Sequence, residues 1–263
     1  MSRLAPTFDR LRATGTTGLV TFVTAGDPDL ARSRDVVLAL ARAGADVIEI
    51  GVPFSDPIAD GPAIQRSSER ALAAGSHLEA AINLVASVRG IVDVPVVLFT
   101  YLNPVLRLGV DAFVDRAVAA GVDGVLLLDL PIEEAEPMRR ALDARGVDLI
   151  FLVSPTTTDA RLREAARLGR GFLYAISRLG VTGTREAVAA SARPLVDRIR
   201  GVTALPIALG FGISQPEHVA EVGSFADAAV VGSAIVQQVA TAVEHGDDPA
   251  AAVEQFVRWL KGR

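Results

Sequence analysis

The chain has 263 residues, half of them hydrophobic, and a formal net charge of −5. A chain of this length can bury a large core, and its negative charge argues against general nucleic-acid binding. It has no cysteine, which excludes disulfides and cysteine metal sites. Its three histidines, His77, His218 and His245, are too widely spaced to predict a histidine metal site.

The N-terminal segment, MSRLAPTFDRLRATG (1–15), has the apolar spacing of a short amphipathic helix and lacks the apolar core of a signal peptide. No run of about 18 apolar residues is free of charges and helix breakers, so we expect no membrane span. These features predict a cytoplasmic protein.

Short β-rich runs alternate with longer runs whose apolar residues recur every three or four positions, which is the period of a helix. Repeated βα units imply parallel strands joined by right-handed crossovers. About 250 residues is the usual size of a closed (β/α)8 barrel. The eight predicted strands are LVTFVT (19–24), DVIEI (46–50), PVVLF (95–99), GVLLLD (124–129), DLIFLV (148–153), GFLYAIS (171–177), PIALGF (206–211) and AAVVGS (228–233).

The simplest arrangement is a single TIM-barrel domain over residues 1–263, with an extra N-terminal helix and extra short helices. The alternative is an open doubly wound sheet, which carries a glycine fingerprint after an early strand. The turn after the first predicted strand reads TAGDPD (24–29) and lacks GxGxxG. We therefore favour the barrel.

Glu49 is a carboxylate in the middle of an apolar strand, DVIEI. Because side chains alternate along a strand, Val47 and Glu49 are expected to face the barrel interior, and Ile48 and Ile50 the helices. Burial raises the pKa of a carboxylic acid towards neutrality, which suits a group that both takes and gives a proton. The structural alternative is a glutamate paired with an arginine or with backbone amides.

The loop after this strand, GVPFSDPIADGPAIQ (51–65), contains three prolines and is expected to be stiff. Asp60 precedes Gly61-Pro62, at the start of a predicted helix over 62–74. Its side chain has two interpretations, a helix N-cap or a second carboxylate facing Glu49 across the open end of the barrel. Asp56 fits a turn former or a surface contact.

Three glycine-rich turns follow the last strands, GVTG (180–183), GFGIS (210–214) and GSAIV (232–236). Such turns let backbone N–H groups approach an anion, and Ser233 would cap a short helix that points at it. We therefore predict a phosphate site here. The segment SRLGVTGTREAVAASAR (177–193) is long for a βα connection, and it predicts either a lid over the substrate or an ordinary surface loop.

Several of these motifs closely resemble the α subunit of tryptophan synthase. The most specific is IEIGVPFSDPIADGPAIQRSSERAL (48–72), and the resemblance runs from TFVTAGDPD (21–29) to GSAIVQ (232–237). It is supported by VSPTTTDARL (153–162), YAISRLGVTGTR (174–185) and LGFGIS (209–214). The resemblance implies retro-aldol cleavage of indole-3-glycerol phosphate to indole and glyceraldehyde 3-phosphate, with no metal and no cofactor in this chain.

The resemblance also implies roles for individual residues. Glu49 would be the acid–base catalyst, and Asp60 would accept a hydrogen bond from the indole N–H. The remaining substrate and phosphate residues that it implies are Phe22, Thr100, Leu126, Tyr174 and Thr182 around the substrate, and Gly183, Gly212, Gly232 and Ser233 around the phosphate.

The family resemblance further implies a partner. The α subunit pairs with a β subunit that carries pyridoxal phosphate, in an α2β2 (αββα) tetramer through which indole passes. The candidate interface residues are Pro53, Asp56, Asn103 and Pro131.

Three alternatives to a channelled α subunit stay open. A stand-alone lyase would release free indole, and a non-catalytic activator of a β subunit would be expected to lack Glu49 or Asp60. Another phosphate-sugar barrel, such as an isomerase, explains the phosphate glycines but not the long match around Glu49.

Overall fold

In the part of the chain that the structure describes, eight parallel strands close into a barrel in sequence order, with β8 pairing with β1. The structure is a computed structural model that describes residues 1–177 and 185–262. All eight predicted strands are present, each within a few residues of its predicted bounds. The strands are β1 (Gly18–Thr24), β2 (Val47–Gly51), β3 (Val96–Thr100), β4 (Gly124–Leu127), β5 (Asp148–Val153), β6 (Leu173–Ile176), β7 (Ile207–Gly210) and β8 (Ala228–Val231).

Helices surround the barrel and cover its amino end. Several begin at residues suited to a helix start: Asp29 caps one helix with its side chain, and Pro62, Pro216 and Pro249 open others. In the described residues the helices are α1 (Leu4–Thr14), α2 (Leu30–Ala43), α3 (Pro62–Ala73), α4 (Leu78–Arg89), α5 (Leu102–Leu108), α6 (Val110–Ala120), α7 (Glu136–Asp143), α8 (Asp159–Leu168), α9 (Arg185–Arg200), α10 (Pro216–Gly223), α11 (Ser233–His245) and α12 (Pro249–Leu260).

The alternation along the strands divides the apolar residues into two cores. Ile48 and Ile50 of β2 pack in the outer core between the strands and the helices. Val47, on the other side of the same strand, lies in the inner core that fills the barrel. This confirms the predicted orientation of β2, and it places Glu49 on the inner side.

The amino end of the barrel is closed by α1, and we call this end the barrel floor. Leu4, Phe8 and Leu11 of α1 belong to the inner core. The Leu11 side chain lies so close to Gly18, the first residue of β1, that a Cβ there would come within 2.8 Å of Leu11 Cδ1. The N-terminal helix is therefore a plug for the floor, which leaves the carboxyl end of the strands, the barrel mouth, as the open end.

Two predicted details at the mouth differ from the structure. Helix α9 already begins at Arg185, so the connection after β6 is shorter than the predicted 177–193 segment, and most of it lies outside the described residues. Gly232, not Ser233, is the N-cap residue of α11, which is 13 residues long and has no side-chain cap. The prediction that Ser233 caps a short helix was wrong, because the helical run of apolar residues continues to His245.

Among the described residues, no single helix is long and apolar enough to cross a membrane. Only α3 and α4 taken together meet the length and composition criteria, and they are bent by 91° at the break between them.

Candidate active site

Glu49 lies on the inner side of β2, near the mouth, and is completely buried. Its neighbours in the strand register are Phe22 of β1 and Val97 of β3. No described residue donates a hydrogen bond to either of its carboxylate oxygens. The structural alternative, in which an arginine or a backbone amide satisfies Glu49, is therefore wrong for the part of the chain that the structure describes.

Burial without a partner changes the acidity of Glu49. Loss of hydration raises the pKa of its carboxyl from 4.5 to about 8. Near neutral pH the group is then mostly protonated, yet it can ionise within the range of a proton-transfer reaction. The raised pKa that the sequence predicted is confirmed, and its cause is the apolar barrel interior.

Asp60 precedes α3 and approaches the mouth from the loop after β2. Its Oδ2 accepts a hydrogen bond of 3.1 Å from the hydroxyl of Tyr101, the residue that follows β3. Burial raises the pKa of Asp60 to about 6, although this hydrogen bond lowers it. The N-cap residue of α3 is Gly61, with no side-chain cap, so the interpretation of Asp60 as a helix cap was wrong.

The hydroxyl of Tyr174 is within electrostatic range of both Glu49 and Asp60. Burial raises the pKa of its hydroxyl well above 10, and the negative charges of Glu49 and Asp60 raise it further. Two acids from neighbouring segments and a phenol from the far side of the barrel therefore influence one another electrostatically at the mouth. The predicted proximity of Glu49, Asp60 and Tyr174 agrees with this arrangement.

Aromatic rings line the wall beside Glu49. The Phe22 ring lies edge-on to Phe99 at 5.2 Å between centroids, and Phe99 lies 6.4 Å from Tyr174. Two strand-end glycines give these rings room. A Cβ at Gly51 would come within 2.4 Å of Phe22 Cζ, and one at Gly210 within 3.0 Å of the Tyr174 hydroxyl.

The predicted wall residues lie on different sides of their strands. Phe22 and Leu126 lie in the inner core, as a substrate wall requires. Thr100 does not, because it shares the outer side of β3 with Leu98, and Phe99 takes the inner side. The prediction for Thr100 was thus one residue out of register.

The described phosphate candidates lie at the carboxyl ends of β7 and β8. Gly212 is exposed, has φ +86° and has nothing within 4 Å of the position where a Cβ would lie. Gly232 and the exposed Ser233 open α11, so the free N–H groups of its first turn point towards the mouth. Thr182 and Gly183 lie outside the described residues.

The candidate interface residues follow strands β2, β3 and β4. Asp56, Asn103 and Pro131 are exposed, whereas Pro53 is buried. A partner could therefore contact the first three directly at the rim of the mouth, but could reach Pro53 only through its neighbours.

Sequence reasoning missed Tyr101 and Phe99. Both were marked by their place at the carboxyl end of β3, since barrel active sites open at that face. The described residues contain no group of three or more histidines or acids that could hold a metal ion.

Known proteins place the chain in one family. A family profile described as tryptophan synthase alpha chain matches residues 8–262. The alpha chain of Geotalea uraniireducens is 53% identical over 237 residues, which cover 90% of this chain and 89% of the relative. The alpha chain of Solibacter usitatus is 48% identical, with 99% of this chain and 97% of the relative covered.

Solved structures agree with these relatives. The crystal structure of tryptophan synthase subunit alpha from Legionella pneumophila has a TM-score of 0.92 and 36% identity, covering 100% of this chain and 98% of that one. Tryptophan synthase from Mycobacterium tuberculosis, in an aminoacrylate-bound form, has a TM-score of 0.87 at 36% identity, with 99% and 98% covered. The profile match, the relatives and the structures lead to the same result: the chain belongs to the tryptophan synthase alpha chain family.

Proposed function

We propose that Glu49 and Asp60 carry out the reaction of this chain at the barrel mouth. As a member of its family the chain is a lyase that cleaves indole-3-glycerol phosphate to indole and glyceraldehyde 3-phosphate. The observation that carries the proposed roles is the buried Glu49 carboxyl, to which no described residue donates a hydrogen bond.

Glu49 supplies and then recovers one proton. In its protonated form it protonates indole carbon 3, which places positive charge on the ring nitrogen. Its carboxylate then takes the proton of the C3′ hydroxyl, and that oxygen forms the aldehyde carbonyl. The carbon–carbon bond breaks, and its electron pair returns to the ring and neutralises the nitrogen. A pKa of about 8 lets the same group act as acid and as base in one cycle.

Asp60 stabilises the charge that develops between these two proton transfers. Its carboxylate accepts a hydrogen bond from the indole N–H, which becomes more acidic as carbon 3 is protonated. A fixed anion at such a position typically contributes a few kcal/mol to transition-state stabilisation. This role requires the ionised form, so it is available above the Asp60 pKa of about 6.

The other proposed contacts are with either the indole ring or the phosphate group of the substrate. Phe22, Phe99, Leu126 and Tyr174 form the apolar wall for the indole ring. Gly212, Gly232 and Ser233 bind the phosphate through backbone N–H groups at the start of α11 and after β7. We also propose Gly183 for the phosphate and Thr182 for closure over Asp60; both lie outside the described residues.

The alpha chain functions with a β subunit. We propose that the assembly is the α2β2 tetramer, that pyridoxal phosphate is in the β subunit, and that this chain needs no cofactor. Asp56, Asn103 and Pro131 would contact the partner directly, and Pro53 would support their loop. We further propose that the chain is one domain over residues 1–263 and that it acts in the cytoplasm on a small-molecule substrate.

Indole release from indole-3-glycerol phosphate, measured with and without a β subunit, tests the proposal. Low activity alone that rises strongly with the partner supports the channelled α subunit. High activity of the isolated chain would instead identify a stand-alone lyase. Absence of cleavage in both conditions, with stimulation of the β reaction, would identify a non-catalytic activator and overturn the roles of Glu49 and Asp60.

A further inference from the structure

Tyr101 occupies a position that the reaction scheme does not yet use. It directly follows β3, and 2% of its surface is exposed. Its hydroxyl donates to Asp60 Oδ2 at 3.1 Å and accepts from the backbone N–H of Ala59 at 3.0 Å. One phenol oxygen therefore bridges the main chain and the side chain of two consecutive loop residues.

The ring of Tyr101 holds the same loop at a second point. It stacks on Phe54 with 4.9 Å between ring centroids and 29° between the ring planes. The loop from Phe54 to Asp60 thus wraps around a side chain that belongs to the neighbouring strand. Because β3 is part of the rigid barrel, this contact fixes the loop relative to Glu49 on β2.

A third contact holds the loop without touching the carboxylate. The side-chain amide of Gln65, on α3, donates to the backbone oxygen of Asp60 at 2.9 Å. The loop contacts of Gln65 and Tyr101 therefore differ in one respect, since only Tyr101 reaches the carboxylate oxygens.

We infer that Tyr101 is a positioning residue, which holds the Asp60 carboxylate at the mouth as the acceptor for the indole N–H. This inference rests on the proposed function and deepens it. The Tyr101 hydroxyl stabilises the ionised form of Asp60, because a carboxylate accepts this hydrogen bond better than a neutral acid does.

Other charged and titratable groups also act on this pair. Tyr174 faces Asp60 and Glu49 from β6, as the influence of both acids on its pKa indicates. Burial raises the pKa of the Tyr101 hydroxyl, and the charges of Asp60 and of Asp129, after β4, raise it further, so Tyr101 stays protonated and remains a donor throughout the neutral range.

The direct test is the pKa of Asp60, measured by 13C NMR titration of aspartate-labelled protein, with Asp60→Asn to assign the signal. Tyr101→Phe keeps the stacking ring and removes only the hydroxyl. Loss of one hydrogen bond to a charged group is expected to raise the Asp60 pKa by about one unit. The matched control, Gln65→Met, loosens the same loop without touching the carboxylate and should leave that pKa unchanged.

The kinetic counterpart is the pH profile of kcat/KM in the α–β complex. With Tyr101→Phe the acidic limb should move to higher pH by the same amount as the Asp60 pKa, and the shift should disappear in the Asp60→Asn background. An unchanged Asp60 pKa in Tyr101→Phe would overturn the inference, and so would an equal rise in Gln65→Met. If the NMR shift occurs but the wild-type complex cleaves no indole-3-glycerol phosphate, the proposed function fails while the Tyr101–Asp60 link stands.

Discussion

Asp123 at the floor of the barrel and Glu49 at its mouth are both buried carboxylates, but their surroundings are opposite. At the floor, Asp123 is 1% exposed and accepts hydrogen bonds from the side chains of Arg3 and Arg89 and from the backbone N–H of Val96, at 2.9–3.0 Å. At the mouth, Glu49 is equally buried and receives no hydrogen bond from any described residue.

A second aspartate at the floor is also held by cations and a backbone N–H. Asp46, which precedes β2, accepts from the Leu19 backbone N–H at 3.0 Å, from Lys261 at 2.8 Å and from Arg10 at 3.3 Å. Arg3, at the start of the plug helix α1, and Arg10 within it therefore hold aspartates at the amino ends of strands. These aspartates fix the strands in place, and their partners balance the cost of burying them.

The hydrogen-bond partners of Asp123 and Glu49 account for the different roles of these two carboxylates. With cations and amides around it, the carboxylate anchors the fold. Without them, it becomes a weak acid that titrates near neutral pH, as Glu49 does.

The largest expected effect is that of Glu49→Gln. The amide fits the same space but can neither give nor take a proton, so turnover should fall by about 10³-fold or more while substrate binding persists. Indole release and substrate affinity of the purified variant in the α–β complex measure the two quantities. Turnover close to that of the wild type would show that another group carries the proton.

Glu49→Gln also tests how the buried carboxyl affects the stability of the fold. The Glu49 pKa is raised from 4.5 in the unfolded chain to about 8 in the fold. The stability that this residue contributes is therefore highest below pH 4.5 and falls as the pH rises to about 8. Denaturant unfolding should show Glu49→Gln gaining stability over the wild type across that window. A gain that does not grow with pH would contradict the assigned pKa.

At the floor, Asp123→Ala should affect the fold instead of the reaction. It removes the carboxylate that pairs with the charge of the largely buried Arg89 and accepts from the Val96 N–H, which should cost about 3–5 kcal/mol of unfolding free energy. Activity per folded molecule should stay close to that of the wild type. The control is Asp93→Ala: the Asp93 side chain is fully exposed in its pair with Arg3, and its loss should leave the unfolding free energy close to that of the wild type.

Asp60→Asn is the milder change at the mouth. The uncharged side chain can still accept a hydrogen bond from the indole N–H, but it no longer opposes the positive charge on the ring. We expect kcat in the α–β complex to fall by roughly 10²-fold. A drop confined to substrate affinity, with kcat preserved, would assign Asp60 to binding alone.

The raised pKa values of Glu49 and Asp60 also predict how activity depends on pH. Activity requires ionised Asp60 and protonated Glu49, whose pKa values are about 6 and about 8. The profile of kcat/KM should therefore be bell-shaped, with a decline of about tenfold per pH unit outside that interval. In Asp60→Asn the acidic limb should disappear and the basic limb remain. A flat profile between pH 5 and 9 in the wild type would contradict both assignments.

The sequence predicted the arrangement of residues at the mouth better than the contacts at the floor. The eight strands, the inward Glu49 and the loop to Asp60 follow from strand alternation and from the βα repeat. The ion pairs of Asp46 and Asp123 were not predictable, since each joins residues that are distant in the sequence, such as Lys261 and Asp46. Thr100 was misplaced because a one-residue error along a strand moves a side chain to the other face, and only the pairing of β3 fixes that register.

The smallest expected effect is on the unfolding free energy, and it concerns the two cations that pair with Asp46 at the floor. One of them is exposed and the other is largely buried. The Arg10 side chain is 60% exposed, whereas that of Lys261 is 10% exposed, and both pair with Asp46. Arg10→Ala should cost less than about 1 kcal/mol of unfolding free energy, because water and salt screen an exposed pair. Lys261→Met should cost several times more, because it leaves a buried carboxylate short of its closest cation. Chemical denaturation of the two variants at low and high salt measures these losses of unfolding free energy. Equal losses would show that exposure does not govern the strength of the ion pairs at the floor.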